Sequence, residues 1–157
     1  MNTDHESMNK TNYRRLFLMA VLSYIAMFVL MYAMVDSFAN VYVNVNQFYM
    51  AGLMAAPMVI IEIALMRAMY PNKTANAGIS AASVILLILC WVLIRKQAAV
   101  GDKQFLRSMI PHHAGAILMV DQASIKDPEI QELCRTIRAG QQAEIEQMKR
   151  KLAQLDK

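Results

Sequence analysis

The chain has little cysteine, and almost no charge where most of its residues lie. Only Cys90 and Cys134 occur in 157 residues, too few for a disulfide framework. Cys90 sits in an apolar run and is expected to be inert. Cys134 lies in the polar tail, so the two are not expected to pair. The formal charge of +4 is modest. It fits basic residues flanking apolar runs better than a nucleic-acid surface. The tail contains no Glu-x-x-His pair, which a ferritin-type di-iron centre needs on facing helices. A metal-dependent oxidase is therefore disfavoured, and no enzymatic activity is expected. No small-residue cleavage site follows the first apolar run, so a removable signal peptide is not expected.

What is abundant is apolar sequence, unevenly placed. Hydrophobic residues make up 57% of the chain, clustered between Leu16 and Ile94, while charge gathers after Arg95. That segregation is typical of membrane-anchored chains. Leu16–Val35 is an uncharged run of 20 residues, and at ~1.5 Å per residue it crosses a ~30 Å hydrocarbon core. Phe48–Met69 reads as a second span, with Pro57 tolerated inside it. Residues 70–78 are a turn punctuated by Pro, Asn and Gly, and Ile79–Ile94, extended back to about residue 77, is a third. The membrane domain is expected at 14–96, with spans at about 16–35, 48–69 and 77–95. Residues 1–13 are polar and expected to be a disordered leader; His5 and Met8 belong to it.

Lys and Arg in the short loops give the orientation. Lys10, Arg14 and Arg15 precede the first span, the loop at 36–47 has no basic residue, and Arg67 and Lys73 mark the second turn. This places the N-terminus in the cytoplasm and residues 95–157 outside it. In a Gram-negative bacterium that means an inner-membrane protein with a periplasmic tail. Arg95, Lys96, Lys103 and Arg107 count against this orientation.

The tail, 102–155, reads as an antiparallel helical hairpin. Asp102 can cap a helix running to about Ser124, or Ser108 is the cap and Pro111 lies in the first turn. Asp127-Pro128-Glu129 is a second helix start: a cap, Pro at the first position, and an early acid. The helix it opens is expected to run to about Leu155. Ile130, Cys134, Ile137, Gln141, Ile145, Met148 and Leu152 share one of its faces.

On the first tail helix, Met109, His112, His113, Ala116 and Met119 fall within an arc of about 120°. Two imidazoles and two thioethers thus share a face. With the hairpin turning near residue 126, Met119 is expected opposite Cys134, His113 near Gln141, and Met109 facing the Glu144–Met148 turn. Thioether, thiolate and imidazole together suit a soft ion, above all Cu(I). Zinc is disfavoured, because carboxylates are sparse on this face. Binding requires neutral imidazoles, so affinity should fall in acid. Against this, methionines on an apolar stripe are usually core, and a His beside them is usually hydrogen-bonded.

The string Phe105-x-x-x-Met109-Ile110-Pro111-His112-His113, with Ala116, Met119 and a later Glu144-Ile145-x-x-Met148, resembles the signature of domain-of-unknown-function family 305. The resemblance covers about residues 102–153. The family is helical and ferritin-like, found mainly in bacteria, and includes periplasmic copper-binding proteins. The front end, with Asn44-x-Asn46-Gln47-Phe48-Tyr49-Met50 and Ala56-Pro57-Met58, is similar to a membrane-anchored subgroup. The resemblance implies Met109, His112, His113, Met119 and Met148 as copper ligands, and supplies no reaction. Longer members have more helices than the single hairpin here.

A hairpin of ~50 residues buries too little apolar surface to stand alone. A homo-oligomer is therefore expected, most simply a dimer whose two hairpins complete a four-helix bundle.

Methionine is also concentrated in the spans. Met19, Met27, Met31 and Met34 share a face of the first, and Met54, Met58, Met66 and Met69 share one of the second with Glu62 among them. A soft-metal path using Glu62, Met54 and Met58 is one reading; ordinary packing is the other. Glu62 in a span costs ~2.5–3.5 kcal/mol on insertion scales and should face protein or water. It could be protonated, paired with Arg67 of a neighbouring chain, or near enough to the cytoplasmic end to reach water. The polar loop Asn40–Gln47 could gather metal or support the hairpin.

These readings converge on an all-α, membrane-anchored, extracytoplasmic Cu(I)-binding protein. It would sequester copper or hand it to a partner protein, contributing to metal tolerance. The alternatives are a homo-oligomeric membrane assembly protein without metal, and a Met-lined metal transporter or channel.

Overall fold

The computed structural model describes residues 2–156, with side chains from Thr11 onward. Among the described residues the chain is all-α, without a strand: α1 Asn2–Leu30, α2 Val45–Leu65, α3 Lys73–Lys96, α4 Asp102–Gln122 and α5 Pro128–Leu155. Two short 3-10 turns, Met31–Met34 and Phe38–Asn40, lie between α1 and α2. The chain forms two compact units. The first comprises residues 1–30 and 48–98, the second residues 31–47 and 99–157.

Most of the apolar helix lies in the first unit. Thr11–Met34, Val45–Leu65 and Lys73–Lys96 are each long and apolar enough to cross a membrane. Their outer surfaces carry bulky apolar side chains, among them Leu22, Ile25, Val29, Ile85, Ile88 and Trp91. Water penalises such a surface and hydrocarbon does not, so the chain has the form of a membrane protein. The inner face of α2 is made of small residues, Ala51, Gly52, Ala55 and Ala56, followed by Val59 and Ile63. Small residues let helices approach closely where no water drives them together. A Cβ at Gly52 would stand 2.8 Å from Cys90 Sγ, so glycine is what allows α2 and α3 to close there. Pro57 lies inside α2, and its missing N–H leaves the Leu53 carbonyl without its usual helical donor.

Three differences between the helix limits and the sequence expectation stand out. α1 starts at Asn2, so its backbone takes in most of the leader expected to be disordered; the side chains of His5 and Met8 lie outside the described ones. α2 ends at Leu65, not Met69. Met66 N–H still bonds Glu62 O, but Met69 and Tyr70 N–H close only short turns onto Met66 and Arg67. Pro71 disfavours helical backbone at Tyr70, the residue before it, so the helix does not resume through this turn. Met66 and Met69 therefore leave the stripe containing Met54 and Met58. α3 starts at Lys73, ahead of residue 77, because the Asn72 side chain accepts Ala75 N–H at 2.9 Å and caps it.

The α2–α3 turn is bound to the beginning of the first span. Asn12 Nδ2 donates to Met69 O at 3.0 Å, and Tyr13 Oη donates to Asn76 Oδ1 at 2.7 Å. Asn76 Nδ2 donates to Tyr70 O at 2.7 Å. The Tyr13 and Tyr70 rings lie 5.4 Å apart above a core of Leu16, Val59 and Ile63. Glu62 faces protein: Tyr70 Oη donates to its Oε1 at 3.3 Å. Its partner is thus a tyrosine of its own chain.

The second unit is the hairpin and the segment that braces it. α5 begins as its sequence reads, with Asp127 accepting from Glu129 N–H at 2.9 Å and Ile130 N–H at 3.0 Å, and Pro128 at the first position. α4 uses neither expected cap. Gly101 is the cap position, and the helix runs through Pro111. The core is Ile110, Ala114 and Ile117 from α4 with Ile145, Met148 and Leu152 from α5. Each fully buried Ile contributes ~1.5–3 kcal/mol of transfer free energy. Val35 and Tyr42 pack onto this core. Asn46 Nδ2 donates to Ser108 Oγ at 3.3 Å, and Val45 N–H donates to Gln104 Oε1 at 3.0 Å. A Cβ at Gly115 would lie 3.3 Å from Met34 O, so glycine there admits the first 3-10 turn. Residues 31–47 therefore support the hairpin, which in one chain already has a third packing element.

Candidate metal centre

The register of the hairpin decides which side chains meet. Lys103 Nζ lies 3.0 Å from Asp156 Oδ1, His113 Nε2 lies 2.9 Å from Glu144 Oε2, and Arg138 Nε lies 2.7 Å from Asp121 Oδ1. These pairs follow one antiparallel register, about a helical turn away from one centred on residue 126. Ala123 and Asp127 both have β-region backbone, so an extended segment and not a tight turn joins the two helices. His113 thus meets Glu144 rather than Gln141. Met119 is not among the residues lining the groove of Cys134.

His113 is the fixed point of the site. It is 9% exposed, and its Nδ1 lies 2.9 Å from the Met109 carbonyl one turn earlier. A carbonyl only accepts, so Nδ1 carries the hydrogen. That leaves Nε2 as the ring's variable atom. As an imidazolium it donates to Glu144; as a neutral ring it presents a lone pair to the groove. The Glu144 side chain is 57% exposed and free to turn toward solvent.

That groove has a volume of ≈ 450 Å³. Met109, His113, Glu144 and Met148 line it, with Phe105 and Leu106 as apolar walls and Lys151 at the rim. Three of the expected ligands, Met109, His113 and Met148, are therefore brought together. His112 is exposed beside them, its ring edge-on to His113 with centroids 5.9 Å apart and planes at 81°. Met119 is 60% exposed. Ten residues beyond Met109, it lies ~15 Å along the helix, too far to share one ion. Cys134 lines a different groove, with Ala123, Ile125 and the Asp121–Arg138 pair. The Asp121 carboxylate accepts from the Arg138 guanidinium and holds its pKa above the ordinary value. Both cysteines are free.

The intramembrane residues do not converge. Met54 and Met58 are 43% and 36% exposed on the outside of α2, while Glu62 is turned to Tyr70. The sequence places Glu144 in the turn facing Met109 and does not pair it with His113.

The donor set separates metals. No group of three or more His, Cys, Asp or Glu side chains able to hold an ion occurs among the described residues. Zinc and harder ions depend on such groups. Two thioethers and one imidazole, with a carboxylate at the edge, fit a soft monovalent ion. The hydrogen bond from Nδ1 to a backbone carbonyl is the kind of outer contact that orients a metal-ligating imidazole.

Comparison with known proteins gives two matches. A family model described as a domain of unknown function (DUF305) matches residues 92–153. The chain is also similar to an uncharacterized protein, L153, of Acanthamoeba polyphaga mimivirus. The two are 34% identical over 140 residues, 87% of this chain and 90% of the relative. An alignment of that length takes in most of the apolar helices as well as the hairpin. No solved structure matches the chain.

Proposed function

We propose that this chain, which belongs to the DUF305 family, is a membrane-anchored Cu(I)-binding protein whose hairpin sequesters the ion or passes it to a partner. The observation that carries the reading is the shared groove of Met109, His113 and Met148. Their softness selects Cu(I) over the divalent ions that compete for it. His113 Nε2 and the two sulfurs would hold the ion, with Glu144 moving aside or remaining as a counter-charge. His112, beside the groove and exposed, suits the first encounter with copper or with a partner protein. The hairpin faces the extracytoplasmic side of a bacterial inner membrane in this reading, with the N-terminus inside. A second copy would supply further ligands and complete a four-helix bundle. No catalytic step is part of the reading: copper is cargo.

One observation favours a second reading, assembly without metal. Both ring nitrogens of His113 already have partners within the chain, as a satisfied core histidine would. Metal analysis separates the two. The protein is purified in detergent from copper-supplemented cells, and copper is counted per chain beside the H112A/H113A variant. The copper reading expects near-stoichiometric metal in the first and none in the second, with the same oligomer in both. Metal-free protein in both would favour the assembly reading. The transporter reading has less support, since Met54 and Met58 stand outside the packed face of α2. It expects loss of function on replacing both with Leu while the hairpin is intact.

A further inference from the structure

A second groove lies at the α2–α3 turn. Its volume is ≈ 530 Å³. Ile60, Ile63 and Ala64 of the last turns of α2 make an apolar wall, and Arg67 and Lys73 line the same groove. Both cations are exposed, and neither has an ion-pair or hydrogen-bond partner among the described residues. Glu62 is the one carboxylate among the described side chains of this unit. It does not line the groove, and it accepts the Tyr70 hydroxyl at 3.3 Å. Arg14 and Arg15 belong to the same end, because Asn12 and Tyr13 bond to Met69 and Asn76. Four cations therefore gather where the spans meet the membrane surface, without a free carboxylate beside them among the described side chains.

The two halves of the groove fall at different depths. Ile60, Ile63 and Ala64 lie inside the candidate span Val45–Leu65, and Arg67 lies just past its end. In a bilayer the first three sit in hydrocarbon and the two cations at the level of the phosphates. Basic pockets between membrane helices take up anionic head groups in this way. We propose that this groove binds an anionic phospholipid, its phosphate between Arg67 and Lys73 and an acyl chain along Ile60, Ile63 and Ala64. A choline head group would bring a further positive charge to unpaired cations, so the preference is for a head group with net negative charge. The proposal rests on the membrane anchoring of the chain and on nothing in the hairpin. Extraction by detergent but not by salt tests that anchoring separately.

The experiment is native mass spectrometry of the full chain in detergent. Phosphatidylglycerol is titrated against phosphatidylcholine with the same acyl chains, and inorganic phosphate is added as a competitor. The expected result is preferential retention of phosphatidylglycerol, unaffected by millimolar phosphate. In R67Q/K73Q its apparent affinity should fall at least about tenfold. In R95Q/K96Q, which loses equal charge at the other end of α3, the preference should persist. A64W, which fills the apolar wall without changing charge, should also lose the lipid, and circular dichroism shows that each variant is folded. Equal loss in the two charge variants would overturn the site as generic attraction. Displacement by inorganic phosphate would reassign it to a free anion. Retention of wild-type occupancy in R67Q/K73Q would also overturn it.

Discussion

His113 Nε2 of α4 lies 2.9 Å from Glu144 Oε2 of α5, and this pair closes the groove that Met109 and Met148 line. The carboxylate stands where an ion bound to Nε2 would sit. Its chemistry divides the metals: a carboxylate strengthens a site for zinc and adds little for Cu(I). E144Q should therefore leave Cu(I) affinity within about threefold while lowering zinc affinity by about tenfold or more. Parallel competition titrations with the two ions read this directly.

The expected ligands should prove unequal. M109L and M148L each remove a sulfur from the groove and should weaken Cu(I) binding by about tenfold, on the order of 1.4 kcal/mol. M119L and C134S should leave it unchanged, since Met119 is exposed ~15 Å along α4 from Met109 and Cys134 lines another groove. An equal loss in all four variants would mean that a second chain brings the sets together.

Much of this was legible before the structure. The three spans follow from uncharged length, and the α5 start from Asp127-Pro128-Glu129, because a cap, a proline and an acid each act locally. The convergence of Met109 and His113 follows from their spacing of four. The register was not legible: it depends on the extended backbone of residues 123–127, and a shift of one turn moved His113 from Gln141 to Glu144. The end of α2 is not legible from hydrophobicity, which continues through Met66 and Met69 although the helix ends at Leu65. The bracing of α4 by residues 31–47 depends on contacts distant in sequence, such as Asn46 with Ser108.

Core truncation should distinguish packing from ligation. Ile145 is 2% exposed between the hairpin helices, and I145A should cost ~2–5 kcal/mol. Hydrogen exchange should then speed up across α4 and α5 while the apolar spans keep their protection. Fast exchange in the spans as well would mean that the two units fold as one.

Tyr70 provides a signal at high pH. Its ring is buried, which is the main cause of a pKa above the ordinary tyrosine value; the Glu62 charge and hydrogen bond add to it. The folded state thus favours the neutral phenol. Stability from this group is present in full below the ordinary pKa of ~10 and is lost as pH rises through the raised value. The melting temperature should fall above about pH 10, and fall less in Y70F. Ultraviolet difference titration of the wild type against Y70F should assign a late-ionising tyrosine to this position.

In the proposed function one hairpin groove holds Cu(I) through sulfur and nitrogen. The most direct test is X-ray absorption of the copper-loaded protein beside H113A. The expected result is a Cu(I) edge with two sulfur scatterers and at least one nitrogen scatterer, the nitrogen shell reduced and copper lost under competition in H113A. A shell of oxygen alone, or a spectrum unchanged in H113A, would contradict it.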